Sequence, residues 1–410
     1  TAYKVSKLRK YLDKIKPNFE PGGKLSALHS VYDGMETFLY TPKTTSARSG
    51  AVHIHDSIDS KRTMIIVVCA LLPCFLFGMY NTGYQHWLAQ GATEFPFWEL
   101  MLYGLVTILP RVVVAYVVGL GIEFAFAQLR GEEIQEGFLV TGILVPMICP
   151  AELPLWMLAV AVAFSVIFVK EVFGGTGYNV LNVALVTRAF LFFAYPAQMS
   201  GDNVYVARGS AFGFAEALPD GFSCATPLGQ IATQAGHGVH FTGVDGSLIS
   251  TWDAFVGLIP GSFGETSTLC ILIGAVILLA TGIASWRIIV SVIAGGLLTG
   301  WLANVCASPV YPGSYISPLD QLLFGGFAFA AVFMATDPVT AARTNTGKYI
   351  YGFLVGAMAI IIRTYNNAYP EGAMLAVLLM NCFAPLIDYC VVQANMRRRM
   401  KRLNTKSVQQ

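Results

Sequence analysis

Stretches of apolar residues, bounded by glycine, proline or a charge, recur from about residue 62 to residue 393. A helix needs about 20 such residues to cross a bilayer. The segments 62–80, 97–129, 137–149, 152–170, 181–198, 268–284, 286–304, 320–336, 350–365 and 371–393 approach or exceed that length, several of them interrupted. Segment 97–129 suits one tilted helix or two shorter ones broken near Pro110. The pattern predicts an all-α polytopic membrane protein with about ten transmembrane helices. Residues 1–60 read as an amphipathic, basic N-terminal arm with Pro17, Pro21, Gly22 and Gly23 as breakers. Residues 61–199 and 263–395 read as two membrane halves, separated by a polar loop over 200–262 and followed by a basic tail over 396–410.

Two halves with an odd number of spans insert in opposite senses, so a 5+5 inverted repeat is expected. Each half carries a polar break inside apolar sequence, Lys170 to Asn182 in the first and Thr336-Asp337-Pro338-Val339-Thr340 in the second. Paired broken helices of this kind build midplane ligand or ion sites in transporters. Ionisable residues within a membrane are costly and are functional suspects by default. In the first break Lys170 and Glu171 can pair locally, and Gly174-Gly175-Thr176-Gly177 frees backbone amides for an anion or polar ligand. Asn179 and Asn182, three apart, share a helix face and can offer amides to a ring edge; capping a broken helix is their competing use. Asp337 suits N-capping of the next helix and cation binding equally well. Glu136 and Asp388 are lone acids at membrane boundaries, where a solvated end charge is the commoner role.

Composition and charge sharpen this picture. Of the residues 55% are hydrophobic and 12% charged, against roughly 25% charged in soluble domains. A net charge of +2 gives no reason to expect nucleic-acid binding. Eleven of the 26 Lys and Arg fall in residues 1–62 and six in the tail from Arg397 to Lys406. Basic flanks stay cytoplasmic, so both termini are expected there and the number of spans is expected to be even. The loop over 200–262 holds one basic residue, Arg208, and five acids, so it is expected on the periplasmic side of an inner membrane. The polar opening residues do not form a secretory signal. Eight scattered cysteines without a C-x-x-C pair argue against an iron–sulfur or zinc centre. His237 and His240 lack a third ligand in sequence, and no dinucleotide fingerprint, Walker loop or catalytic triad is present.

The polar loop contains Asp220-Gly221-Phe222-Ser223-Cys224-Ala225-Thr226-Pro227. Proline pushes Thr226 toward an extended backbone, and small neighbours leave its hydroxyl approachable. The stretch resembles the Asp-x-x-Ser/Thr-Gly-Ala-Thr site at which a flavin transferase attaches FMN, through its phosphate, to the last threonine. Cys224 stands where that pattern has glycine. Phe19-Glu20-Pro21-Gly22-Gly23-Lys24, Lys170-Glu171-Val172-Phe173-Gly174-Gly175-Thr176-Gly177, the run from Arg188 to Gln198, and Met334-Ala335-Thr336-Asp337-Pro338-Val339-Thr340 accompany it in order. Together, over nearly the whole chain, these motifs resemble the B-type family of membrane subunits in the sodium-translocating NADH:quinone reductases; Val183 stands where that family often has proline. The resemblance implies a redox subunit of the inner membrane with FMN bound covalently at Thr226, beside Ser223 and Asp220. It implies non-covalent riboflavin at Lys170, Gly175, Gly177, Asn179 and Asn182, and ubiquinone near Glu20, Glu133, Glu136 and Phe138. Glu136, Asp337 and Asp388 become the acids of the reaction, the last two with sodium. An NADH-oxidising flavoprotein subunit and a second covalent-FMN subunit are the implied partners, within the lipid bilayer. Two other readings stay open. One is an Rnf-type membrane subunit of a ferredoxin:NAD oxidoreductase, whose D-type family shares the central motifs but generally lacks so long an arm. The other is a redox-inert inverted-repeat channel or transporter for a small polar solute.

Overall fold

A computed structural model describes residues 14–19, 32, 60–131, 137–199, 204–209, 218, 225–231, 240–366 and 371–408. Glu20, Glu133, Glu136, Asp220, Ser223, Cys224 and His237 lie outside them. Every apolar segment expected to span the membrane contains helix. We number them α1 (Ser60–Ala89), α2 (Phe97–Arg130), α3 (Phe138–Ile148), α4 (Leu155–Ser165), α5 (Val183–Ala194), α6 (Thr268–Ala280) and α7 (Trp286–Val305). There follow α8, discontinuous as Pro318–Leu323 and Phe327–Phe329, then α9 (Asn345–Tyr365) and α10 (Ala373–Val408). Among the described residues there is no strand, only an isolated bridge between Thr242 and Leu248 in the loop. Five helices, α1, α2, α7, α9 and α10, are long and apolar enough to cross a bilayer unaided, while α3, α5 and α6 are short apolar helices.

Segment 97–129 forms one helix that passes through Pro110. Membrane helices tolerate proline because neighbouring groups cover the backbone it frees. Two other elements do break. α4 continues into a π-helical turn over Val166–Glu171, and α8 into another over Ala330–Met334. Each π turn leads directly into a polar break. Such turns add a residue to the helical register and recur at functional sites.

Small residues set how closely the helices approach. A Cβ placed on Gly356 of α9 would lie 2.0 Å from the Val292 carbonyl oxygen of α7, and one on Gly295 of α7 would lie 2.2 Å from that of Phe353. Between α1 and α2, a Cβ on Gly104 would sit 2.0 Å from the Met79 carbonyl oxygen. Lipid exerts no hydrophobic drive between helices, so close backbone packing of this sort holds membrane bundles together. Helix α1 also packs against α6, joining the two halves.

Two buried arginines lock the middle of the molecule. Arg188 of α5, fully buried, donates to the carbonyl of Ile148, the last residue of α3. It also donates to Glu265 Oε1 at 2.9 Å and to Glu371 Oε2. Arg363 of α9 donates to the Gln321 carbonyl, to the Gly325 carbonyl at 3.2 Å and to the Glu371 carbonyl at 3.1 Å. In both halves, therefore, an arginine covers carbonyls at the end of a short helical piece that the membrane cannot hydrate. Loop residues Leu228, Ile231, Phe241, Ala254 and Ile259 form a second small core with Ile316 and Phe324.

The α7–α9 contact gives a direct test. Gly356→Ala is expected to destabilise the protein by about 1–3 kcal/mol, because the added methyl meets backbone. Gly121→Ala, where nothing lies within 4 Å of the added methyl, serves as the control and should be near neutral. Thermal unfolding of the detergent-solubilised protein reads the difference.

Candidate functional site

The two polar breaks meet. Asn182 is the N-cap of α5, its Oδ1 accepting from the Leu185 amide at 3.2 Å. Its Nδ2 donates to Asp337 Oδ2 at 3.0 Å, across 155 residues of sequence. Asp337 Oδ2 also accepts from Thr340 Oγ1 at 3.1 Å, and Oδ1 accepts from the Val339 amide at 3.0 Å. Asp337 does not cap a helix: α9 begins eight residues later, with Thr344 as its N-cap, so the simple capping role is set aside. Its carboxylate instead holds the second break in shape and ties it to the first.

Around this junction lies a cleft of about 860 Å³, including its open mouth. Its polar lining includes Lys170, Thr176, Asn179, Asn182, Thr336 and Asp337; Val67, Val140, Leu144, Ile283 and Phe333 are among its apolar walls. An apolar cavity with a few convergent polar groups is the usual form of a small-molecule site. The Thr176 Oγ1 is buried without a hydrogen-bond partner among the described residues. A buried hydroxyl left in that state costs about 1–3 kcal/mol, and a bound polar group would relieve it.

Several sequence expectations change in detail. Lys170 and Glu171 do not pair with each other. Consecutive residues of a helical turn point in different directions, so Lys170 bonds Glu123 of α2 while Glu171 meets Arg130 at 3.1 Å. Gly174, Gly175 and Gly177 do take the positive φ values that only glycine adopts without strain, 114°, 95° and 92°. Yet the Gly174 and Gly175 amides are not free, because they bond back to the carbonyls of Glu171 and Lys170 at 3.1 and 3.0 Å. The nest expected there is thus partly filled by the π turn itself. Asn179 donates to the Leu181 carbonyl at 2.9 Å while still lining the cleft.

Phe138 is fully buried, its ring filling the space over Gly119 of α2 and edge-on to Tyr116; it is absent from the cleft lining. Asp388 is likewise not brought to Asp337's cleft. Its Oδ2 accepts from the Arg343 amide at 2.7 Å, and Oδ1 from the Thr344 amide at 3.0 Å and hydroxyl at 2.6 Å. Those bonds cover the N-terminal end of α9. Among the described residues no three His, Cys, Asp or Glu side chains converge on a metal position.

Thr226 lies at the start of the short helix Pro227–Ile231, its Oγ1 accepting from the Gly229 amide at 3.1 Å. It is half-buried and borders a second, smaller cleft with Tyr205, Ser262, Glu265, Gly325, Gly326 and Glu371. Leu228 fixes the segment from below: a Cβ on Gly325 would come within 1.9 Å of its Cδ1. Glu123, Glu265 and Glu371 were not singled out from sequence. Glu123 could have been, as an isolated acid within the long apolar run of α2.

The helical bundle, its apolar surfaces and its two broken helices define an all-α polytopic membrane protein with a mainly apolar cleft where the two breaks meet. Residues 47–397 match the model of the NQR2, RnfD, RnfE family, and the chain belongs to that family. It is similar to the B-type subunit of the Na(+)-translocating NADH-quinone reductase of Azotobacter vinelandii, 44% identical over 96% of this chain and 99% of the relative. The counterpart of the same name from Yersinia pestis is 45% identical over 96% and 99% of the two chains. That from Haemophilus influenzae is 44% identical over 97% and 99%.

The Asp388 geometry yields an expectation for stability. Asp388→Ala strips the start of α9 of three hydrogen bonds and should cost about 1–2 kcal/mol. Asp388→Asn retains one acceptor oxygen and should recover part of that loss. Thermal midpoints of the two purified variants give the comparison.

Proposed function

We propose that this chain is the flavin- and quinone-handling membrane subunit of a sodium-translocating NADH:quinone reductase. The observation that carries the reading is Thr226: a half-buried threonine hydroxyl, pinned before Pro227 and bordering a cleft, at the position where the motif calls for flavin attachment. FMN esterified there through its phosphate would have the smaller cleft beside it. The larger cleft fits riboflavin in kind, with apolar walls for a ring and Thr176, Asn179 and Asn182 for its polar edge. When bound, the flavins supply electron transfer between NADH-derived electrons and ubiquinone. The chain's own residues orient the rings, exclude lipid and water, and hold charge near them.

Asp337 is the proposed sodium-linked acid, since it combines a carboxylate with a broken helix inside the membrane. Oxygen donors of this type suit a hard cation. Asp388, engaged by backbone amides, is better suited to holding α9. Ubiquinone is assigned to the cytoplasmic side, near the N-terminal arm with Glu20 and the segment from Glu133 to Glu136. The protein would sit in a bacterial inner membrane with both termini cytoplasmic and the Thr226 loop periplasmic. Its partners would be an NADH-oxidising flavoprotein subunit and a second subunit with covalent FMN.

Intact-mass analysis of protein made alongside the flavin transferase should show one added FMN, lost in Thr226→Ala. Flavin on Ser223, or none anywhere, overturns the attachment and favours the redox-inert reading. Asn182→Ala should lower extractable riboflavin, by about 1–3 kcal/mol of binding, while FMN on Thr226 stays. Asp337→Asn keeps one acceptor oxygen but removes the charge, so turnover of the complex should need more sodium for half-saturation. An unchanged sodium dependence would remove Asp337 from the ion path.

A further inference from the structure

A buried ion pair stands in the wall of the larger cleft: Lys170, one of the residues that the resemblance gives to riboflavin, and Glu123, to which no role has been given so far. Lys170, 6% exposed, lines the cleft from the π turn after α4. Its ammonium donates to Glu123 Oε1 of α2, itself 5% exposed. The next residue, Glu171, is bridged to Arg130, the last residue of α2. Among the described residues, the charged groups around Lys170 are Glu123 of α2, which it bonds, Asp337, which lines the same cleft, and on its own turn Glu171, itself bridged to Arg130. Ion pairs this deep seldom add stability, because removing both ions from water costs about as much as their attraction returns. Nearby, the Thr176 hydroxyl is buried without a partner among the described residues and lines the same cavity.

We propose that Glu123 is a positioning residue that fixes the Lys170 ammonium in the cleft wall, and that the charge held there sets the reduction potential of the ring bound beside it. The proposal rests on the flavin reading of the cleft given above. Reduction of an isoalloxazine ring takes up two electrons and, near neutral pH, one proton, which leaves one negative charge on the N1 edge. The electrons come from NADH through the complex and the proton from solvent. A cation beside that edge favours the reduced form. Glu123 does not reach into the cleft and acts through Lys170: without the carboxylate that it bonds, the ammonium is no longer held at that place in the wall.

The test is a spectroelectrochemical titration of the purified complex, following the flavin component whose amplitude falls in Asn182→Ala. Lys170→Gln should shift that component at least tenfold toward the oxidised form, about 30 mV for a two-electron couple. Lys170→Arg, which keeps the charge, should restore most of it. Glu123→Gln should shift the potential in the same direction, and should add nothing in a Lys170→Gln background. If either single neutral variant fails to assemble, the double variant, which removes both ions together, must show the tenfold shift. An unchanged potential with the flavin present overturns the proposal, and a rise in Glu123→Gln overturns the role of Glu123. Absence of any non-covalent flavin from the wild-type complex would instead refute the flavin reading on which it rests.

Discussion

A helix that stops inside a membrane leaves amides and carbonyls that lipid cannot satisfy, and the structure depends on how two such stops are resolved. Both polar breaks are closed by side chains of the other half or of the adjoining helix. Asn182 caps α5 with its oxygen and reaches Asp337 with its nitrogen, so one side chain serves both breaks. Arg188 and Arg363 perform the complementary task at the carbonyl ends of α3 and of the first piece of α8. The cleft exists because these devices let non-helical backbone persist between the halves.

The same constraint governs the charges. Lys170 pairs with Glu123, Arg130 with Glu171, and Arg188 with Glu265 and Glu371. Each of these cations in the central part of the bundle thereby has a carboxylate partner, as expected where an isolated ion would be prohibitive. Glu371 joins the deepest of these clusters to the Thr226 cleft, because it bonds Arg188 and Tyr205 and also borders that cavity. Glu265 does the same from the loop before α6, lying so close to Gly326 that a Cβ there would meet its Oε2 at 2.6 Å. The region around Thr226 is therefore tied to the membrane core rather than hung on an independent loop.

Much of this was legible in the amino-acid order. The all-helical class followed from apolar run length, and the two breaks followed from glycines, asparagines and an Asp-Pro step placed inside apolar sequence. Thr226 stood out because a threonine before proline, among small residues, is a local feature that needs no partner. The end of α4 was legible too, since Gly174-Gly175 cannot continue a helix cheaply, whereas the interruption of α8 at Gly325-Gly326 came only from the structure.

Pairing was decided by tertiary structure alone. Lys170 next to Glu171 looks like a local ion pair, yet the π turn sends the two side chains to different partners on α2. Asp337 read equally well as a cap or a ligand until Asn182 was found beside it. Asp388 looked like a companion acid, but its oxygens are taken by the start of α9. Residue order determines which positions are apolar, which break a helix and where charges fall, because those depend on each residue and its nearest neighbours. Which charge meets which, and whether two breaks form one cavity, depends on helix packing set by contacts across more than a hundred residues, and only the folded bundle supplies it.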